Sequence, residues 1–498
     1  MKLFSVVNFL ATLGVKEAIE DAAPTQQVVM MAASADDKGG QGAVNSVGAS
    51  DNITGFVEKS KARMLDRWLD TLVRVSGSKV MFALVLTGLL VWAFLGIPFG
   101  KSADWAVIIS DIQALVSYLF DSLLMRQQLN EYGRFVRVSA MLQSRNLSHR
   151  RMLRQIARDR SHVVRPEELA ALEQLPLTED LPRENLLGRI STFASLVFGH
   201  IFTVGLYWVC IFIWLGFGQY CGWSDEWQLY INSSTSALMV FVFAFLANVQ
   251  ERDTDYIDQC LNCIFEADSA VELKLRLLSG DSMPNPIVVI PAPKVGKLQR
   301  AIFYYADLVG TLVGLAILIA VVIIWLAIGP LLSFSSNWWL IIGTYAGLVG
   351  LNDGFVLRNV QLQLSRYQVA ALEQVQHEDE AIFKDIRVSD PKVEQVQDGS
   401  LSYRLSERMG TITSHEITVV LGGISILGLL AGATAMGWST TGQLLCNIPP
   451  SIVESFFMMI LITGHNINDS RRRADLRTVY VRRLKLLGYV AKLEASAV

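Results

Sequence analysis

The feature that most constrains this chain is a plan written four times. A long apolar helix ends in a short charge-poor loop, and a second apolar stretch follows that opens near a Trp or Gln. The second stretches read WAVIISDIQALVSYLFDSLLMRQQ from Trp105, WQLYINSSTSALMVFVFAFLANVQ from Trp227, WWLIIGTYAGLVGLNDGFVLRNVQ from Trp338 and QLLCNIPPSIVESFFMMILITGHN from Gln443. Two of them close on the same Asn-Val-Gln, at Asn248 to Gln250 and Asn359 to Gln361. Repetition at this scale implies equivalent supersecondary units stacked on one another. Carboxylates recur inside the units, and an acid in hydrocarbon persists chiefly where it handles charge, so the plan points to a cation pathway.

Eight stretches are long enough to cross ~30 Å of hydrocarbon, which takes ~20 helical residues. They run over roughly 80–98, 105–125, 191–217, 227–248, 306–332, 338–357, 411–437 and 443–464. A mean hydropathy of +0.37 beside 18% charged residues fits several spans joined by sizeable polar segments, and argues against a water-soluble enzyme. Met1 to Leu13 lacks a basic start and a small-residue cleavage site, so insertion is expected to begin at the first span.

Charge placement sets the orientation. Of 43 Lys and Arg, only Lys101 falls in a short hairpin loop, while twelve Arg lie between Arg126 and Arg189. Basic flanks stay cytosolic, which puts both termini and every long loop inside. The sequons at Asn52, Asn146 and Asn468 then never meet a glycosylating lumen, and Asn232-Ser-Ser lies too near the membrane to be a good acceptor.

The expected fold is all-α: a polytopic membrane protein with eight transmembrane helices as four hairpin quasi-repeats carrying cytosolic helical extensions. Residues 1–55, rich in Ala, Ser, Gly, Gln and Asp, read as a disordered cytosolic extension. Residues 56–78 form an amphipathic helix in the inner interface. Met64, Leu65, Trp68, Leu69, Leu72 and Val73 line one face, with bases around them that suit an anionic inner leaflet. Residues 79–248 carry hairpins 1 and 2 with the helical loop 126–190; 249–305 is a cytosolic loop; 306–464 carries hairpins 3 and 4 with the helical loop 358–410; 465–498 is a cytosolic helix. The polar loop segments read as a solvated collar. Smooth odd-numbered spans are expected outside, around polar even-numbered ones. Gly343xxxGly347 and Gly350xxxGly354 place the sixth span centrally, and Gly310xxxGly314 allows close contact in the fifth. Cys260 and Cys263 have the minimal metal spacing but lack a second Cys/His pair, so one turn of packing is the simpler reading. Cys221 and Cys446 share the outer side and leave a disulfide open.

Even-numbered spans run inward, so residue number converts to depth at ~1.5 Å per residue. Asp111 falls in the outer third, Glu454 at the centre, Asp121 and Asp353 in the inner half and His465 at the cytosolic end. Gln113, Ser117 and Asp121 share one helix face, and Glu454, Met458, Leu461 and His465 share another. Pro449 and Pro450 leave carbonyls free before Glu454, and Asn232 adds an amide from the fourth span. Carboxylates with an imidazole and a thioether suit a borderline divalent cation better than K⁺ or Na⁺. The candidate metal ligands are therefore Asp111, Asp121, Asp353, Glu454, Met458, His465, Gln113 and Asn232. Two pairings compete with that reading: Asp121 with Arg126, and Asp353 with Arg358. His200 reads as a packed, hydrogen-bonded histidine, and His415-Glu416 as interfacial. No Walker loop, zincin helix or Gly-x-Ser-x-Gly is present, so no enzymatic activity and no resident cofactor are expected.

These same stretches, with LDRWLDTLVRVSGS from Leu65, WAFLGIPFG from Trp92 and IPPSIVESFFMMILITGHNI from Ile448, resemble the fungal low-affinity iron permease family. The likeness runs from about residue 56 to the tail. It implies a plasma-membrane protein importing Fe²⁺ at low affinity, with Zn²⁺, Cu and Mn²⁺ as further substrates, and neither an ATPase nor an oxidase partner. Divalent ions and lipid are the expected partners; nucleic acid is not, and the Gly-rich spans permit a homodimer. A monovalent channel of four two-helix repeats and a non-transporting metal sensor are the alternatives. The short hairpin loops leave no room for a pore helix and filter, which weighs against the channel.

Overall fold

A short helix, an apolar helix and a long helix follow one another four times along the chain. The computed structural model describes residues 13–26, 54–58, 61, 63–100, 103–158, 181–391 and 401–497. The first repeat contains α1 (Met64–Ser76), α2 (Lys79–Phe99) and α3 (Ala103–Arg158), and the second α4 (Leu186–Phe198), α5 (Ile201–Phe217) and α6 (Asp225–Ser279). The third contains α7 (Lys297–Val309), α8 (Leu312–Ile328) and α9 (Ser336–Asp385). In the fourth, α10 (Leu401–Thr413) and α11 (Glu416–Ala435) lead through a short α12 (Thr440–Leu445) to α13 (Ile448–Ala497). The opening helix has 13 residues every time.

A capped break separates each opening helix from the apolar helix after it. Ser78 Oγ accepts the Met81 N–H, His200 Nδ1 that of Phe202, Thr311 Oγ1 that of Val313 and His415 Nδ1 that of Ile417. Each side chain satisfies one of the donors that a helix start leaves orphaned. The stretches 191–217, 306–332 and 411–437, expected as single spans, are therefore each broken. The chain bends by 51° between α4 and α5 and by 64° between α7 and α8. His200 is hydrogen-bonded as expected, but it is an exposed cap and not a packed core residue. Among the described residues six helices are long and apolar enough to cross a membrane, or up to eight if each of these bent pairs is one span.

The four long helices α3, α6, α9 and α13 form the centre, and α2, α5, α8 and α11 lie outside them. In the most apolar window of α2 no residue is buried, and in that of α11 11% are, against 61–78% in the long helices. Apolar side chains facing outward on every outer helix are what lipid contact requires. The glycines of α9 explain its central place. A Cβ on Gly343 would stand 2.6 Å from Asn447 Nδ2, and one on Gly354 3.3 Å from Phe457 Cβ, so α13 packs against bare backbone. Gly310 likewise lies against the backbone of Arg126.

Paired tryptophans clasp three hairpins near their loops. Trp92 stacks on Trp105, Trp214 on Trp227 and Trp325 on Trp338, with ring centroids 4.5, 3.9 and 4.3 Å apart and planes within 6°. In the first and third pairs each indole N–H donates to the other residue's carbonyl. The fourth hairpin has Gln443 in that place, its amide donating to the Trp438 carbonyl.

Beyond the apolar half, the long helices continue without a break into a polar four-helix bundle. The expected collar is thus a packed core, built around Phe135, Leu142, Ile257, Leu261, Val375 and Val479 and, farther along, Met152, Val271, Leu275, Phe383 and Val490. Between these apolar layers lies a buried ionic network to which every long helix contributes. Arg483 meets Asp268 and Asp379 at 2.8 Å, and Arg145 meets Glu272 at 3.2 Å and Asp268 at 3.5 Å. Buried pairs of this sort stabilise little net, but they penalise any slipped register. His149 sits in the same layer, where burial and then its arginine neighbours push its imidazole down to about 3 against the attraction of Asp268.

Residues 13–26, expected within the disordered extension, are instead ordered on this bundle. β1 (Ile19–Asp21) pairs antiparallel with β2 (Val288–Ile290), so 249–305 is not a plain loop either. Asp307 accepts the Gly14 N–H at 2.7 Å and the Lys16 ammonium at 3.0 Å. Gly14, at φ +74, lies where a Cβ would meet the backbone of Arg300 and Tyr304. Residues 1–12 and 27–53, together with 159–180 and 392–400, lie outside the described residues. Cys221 and Cys446 are both free, one exposed and one buried, so that disulfide does not form. Cys260 packs in the bundle core, where burial pushes its thiol up to about 11.

Candidate carboxylate site in the apolar half

Glu454 sits in the second and third turns of α13 because the helix starts at Ile448. Pro449 and Pro450 occupy the first turn, where a missing N–H forfeits no helical bond. They open the helix and do not break it. Opposite, Gly350 of α9 is what makes room for the acid: a Cβ there would lie 2.6 Å from both Glu454 carboxylate oxygens. Asp353 follows one turn later on α9, and Asp121 projects from α3. All three acids are fully buried, and their charges lie within electrostatic reach of one another.

Their pairing sets them apart from other buried acids. Among the described residues neither oxygen of Asp121 meets a hydrogen-bond partner, and the polar neighbour of Glu454 is the Ser117 hydroxyl. Asp353 accepts the Tyr305 hydroxyl at 2.6 Å through Oδ1, and the Asn352 side chain lies beside it. The competing arginine pairings do not occur. Arg126 turns away to Asp70 at 2.8 Å and Asp66 at 3.3 Å on α1. Arg358 bonds Gln361. Unpaired carboxylates in a low-dielectric interior are tolerable only when protonated or when a cation shares the site.

The other expected ligands are spread along the same axis. Gln113 donates to Ser117 at 2.7 Å and accepts from Ser236 at 3.3 Å, which links α3 to α6 nearer the hairpin loops. Asn232 is buried with its Oδ1 unpartnered. Asp111 is buried too, but no charged neighbour acts on it, so it stands apart from the three acids. Met458 lies in the central apolar cluster. His465 lines a cavity of about 30 Å³ at the start of the polar bundle, together with Gln128, Gln250, Gln361, Glu131 and Asp253. There, unlike at the three acids, cations are close: Arg472 lies 3.5 Å from Glu131, and Arg473 3.0 Å from Asp253. Burial, and then the neighbouring Asp253, pushes the Asp469 carboxyl in this cavity up to about 7.

Among the described residues no group of three or more His, Cys, Asp or Glu is set to hold a metal ion at once. The expected ligands therefore form levels along the bundle axis and not one closed cage. Tyr305 was not legible as part of the site, since it lies on the preceding 13-residue helix and reads there as one more apolar-face aromatic.

Comparison with known proteins gives a concordant picture. A family model described as "Low affinity iron permease" matches residues 187–280 and 402–494. The chain is 36% identical over 442 residues to "Low-affinity iron/zinc ion transport protein fet4" of Schizosaccharomyces pombe, covering 88% of this chain and 76% of that one. It is 33% identical over 481 residues to "Low-affinity Fe(2+) transport protein" of Saccharomyces cerevisiae, covering 90% and 87%. No solved structure gives a significant match.

Proposed function

The chain belongs to the low-affinity iron permease family, and on that premise we propose that it carries Fe²⁺, and Zn²⁺ less selectively, inward across the plasma membrane. Relatives named as iron and zinc transporters support a low-affinity divalent metal transporter, and the apolar helices support a multi-pass membrane protein. The direction, the route and the further substrates Cu and Mn²⁺ are our reading. So are eight spans in four hairpins with both termini cytosolic, which the distribution of Lys and Arg supports.

The observation that carries the route is the trio of buried acids without cationic partners, on the inward faces of three of the four long helices. A dication entering from the hairpin-loop end passes Asp111 and the amides of Gln113 and Asn232. It then exchanges water for Glu454 with Asp121 or Asp353, and leaves past His465. Few ligands at each level favour weak binding and easy release, which conduction needs. An inside-negative potential contributes ~2.3 kcal/mol per charge per 100 mV and drives a 2+ ion inward. Uptake of radiolabelled Fe²⁺ by cells expressing Glu454→Ala or Asp121→Ala tests the route. Loss of uptake with normal surface expression supports it, and unchanged influx removes the site. Large single-channel currents carried by K⁺ or Na⁺ would instead favour a monovalent channel.

A further inference from the structure

One position recurs on all four long helices between the acids and the polar cavity: Leu124 on α3, Leu246 on α6, Leu357 on α9 and Leu461 on α13. The first three stand 19 residues after Trp105, Trp227 and Trp338, so they are equivalent in the repeat. Four residues beyond each leucine comes Gln128, Gln250, Gln361 or His465, and all four line the cavity at the start of the polar bundle. Residues four apart on a helix lie on one face, so the leucines point at the same axis one turn nearer the acids. On the other side, Asp121 precedes Leu124 by three residues and Asp353 precedes Leu357 by four. All four leucines are no more than 1% exposed, and they share one contiguous apolar cluster with Phe243 and Met458.

We propose that Leu124, Leu246, Leu357 and Leu461 form a hydrophobic gate across the bundle axis, sealing the carboxylate chamber from the polar cavity. The proposal rests on the transport reading and adds the place where transport is controlled. A hydrated dication meets four apolar side chains at this level, so the ring bars it by exclusion of solvent, with the buried Arg358 guanidinium that bonds Gln361 adding a charge barrier beside it. The flanking layers suit both sides of such a barrier: carboxylates to strip water from the ion before it, and amides with an imidazole to receive the ion after it. Opening requires only that the long helices part at one level, after which the ion meets Gln128, Gln250, Gln361 and His465 directly.

Four buried leucines could equally be bundle core, and the experiment separates the two readings. Full-length protein is reconstituted in liposomes, and Fe²⁺ influx is measured per folded molecule for Leu357→Gln, Leu461→Gln and the control Leu142→Gln, a leucine equally buried in the polar bundle. A gate predicts influx raised roughly tenfold in the two ring variants, equivalent to only about 1.4 kcal/mol of barrier, and not in the control. Influx at or below the wild-type rate in folded ring variants overturns the proposal. A second measurement leaves the ring intact. A membrane-impermeant thiol reagent added on the polar side is expected to modify Gln250→Cys and to spare Ser117→Cys, over the background of the five native cysteines. Equal modification of both overturns the seal. If the wild-type protein moves no Fe²⁺ at all, it is the transport reading that fails, and the labelling asymmetry still judges the seal.

Discussion

The same four helices bury acids twice, and treat them in opposite ways. In the polar half, Asp268, Glu272 and Asp379 are fully buried and each is held by Arg145, Arg276 or Arg483 at 2.8–3.5 Å. In the apolar half, Asp121, Asp353 and Glu454 are as deeply buried, yet among the described residues no base approaches them. The bases that could reach them are committed elsewhere, Arg126 to α1 and Arg358 to Gln361. Leaving the second set bare fits the proposed route, in which a cation from outside supplies the missing charge. Structural acids carry their counter-charge in the fold; a site for cargo has to leave it out.

The comparison breaks if both sets respond alike to truncation. Glu454→Ala and Asp121→Ala are expected to lower Fe²⁺ uptake by more than about tenfold while the protein still elutes as a folded species. Asp379→Ala leaves Arg483 with Asp268, which it shares with Arg145, and should cost up to about 3–5 kcal/mol, read as loss of the folded fraction on detergent-phase chromatography. Gly350→Ala comes next. Its methyl must displace the Glu454 carboxylate, so uptake is expected to fall several-fold, with a stability change of about 1–3 kcal/mol in a thermal melt. Tyr305→Phe removes one donor to Asp353 worth about 1 kcal/mol, and a change of several-fold at most in initial uptake rate is expected, in KM or in kcat.

The smallest effect lies in the polar set and concerns pH. His149 is held neutral in the fold, its value near 3 against 6.5 in the unfolded chain. As pH falls from about 6.5 towards 3 the unfolded state takes up a proton that the folded state excludes, so this contribution to stability is present above 6.5 and is lost on acidification. Acidification from pH 7.5 to 5 should lower the melting temperature of wild type relative to that of His149→Gln, whatever common trend the other groups set. A parallel decline in both would assign the slope to other groups, Asp469 excepted. That residue's raised value near 7 acts in the opposite sense, favouring the fold at low pH and losing its contribution as pH rises through 7.

Much of this architecture was legible in the sequence. The repeated Trp-led stretches marked the long helices, the smooth spans were rightly set outside, and the paired glycines of α9 announced a helix packed at the centre. The breaks before α5, α8 and α11 were not legible, because apolar residues run on through them and hydropathy cannot register a cap. The clue was chemical: Ser78, His200, Thr311 and His415 each accept a backbone N–H two or three residues on. At the site, depth arithmetic found the buried acids. It could not foresee that Arg126 would be drawn to α1, since that depends on where an amphipathic helix docks. Nor could it tell that Met458 and Leu461, on the same helical face as Glu454, interrupt the polar ladder by joining an apolar cluster with residues of four other helices.

The stacked tryptophans carry a consequence for how the protein can be watched. Indoles lying face to face about 4 Å apart share their excited states, so each clasped hairpin should carry a coupled signature in near-ultraviolet circular dichroism. Three of the four hairpins thus report their own closure without an added label. The fourth, fastened by the amide of Gln443 to the Trp438 carbonyl, has no stacked indole pair among the described residues and gives no coupled signal.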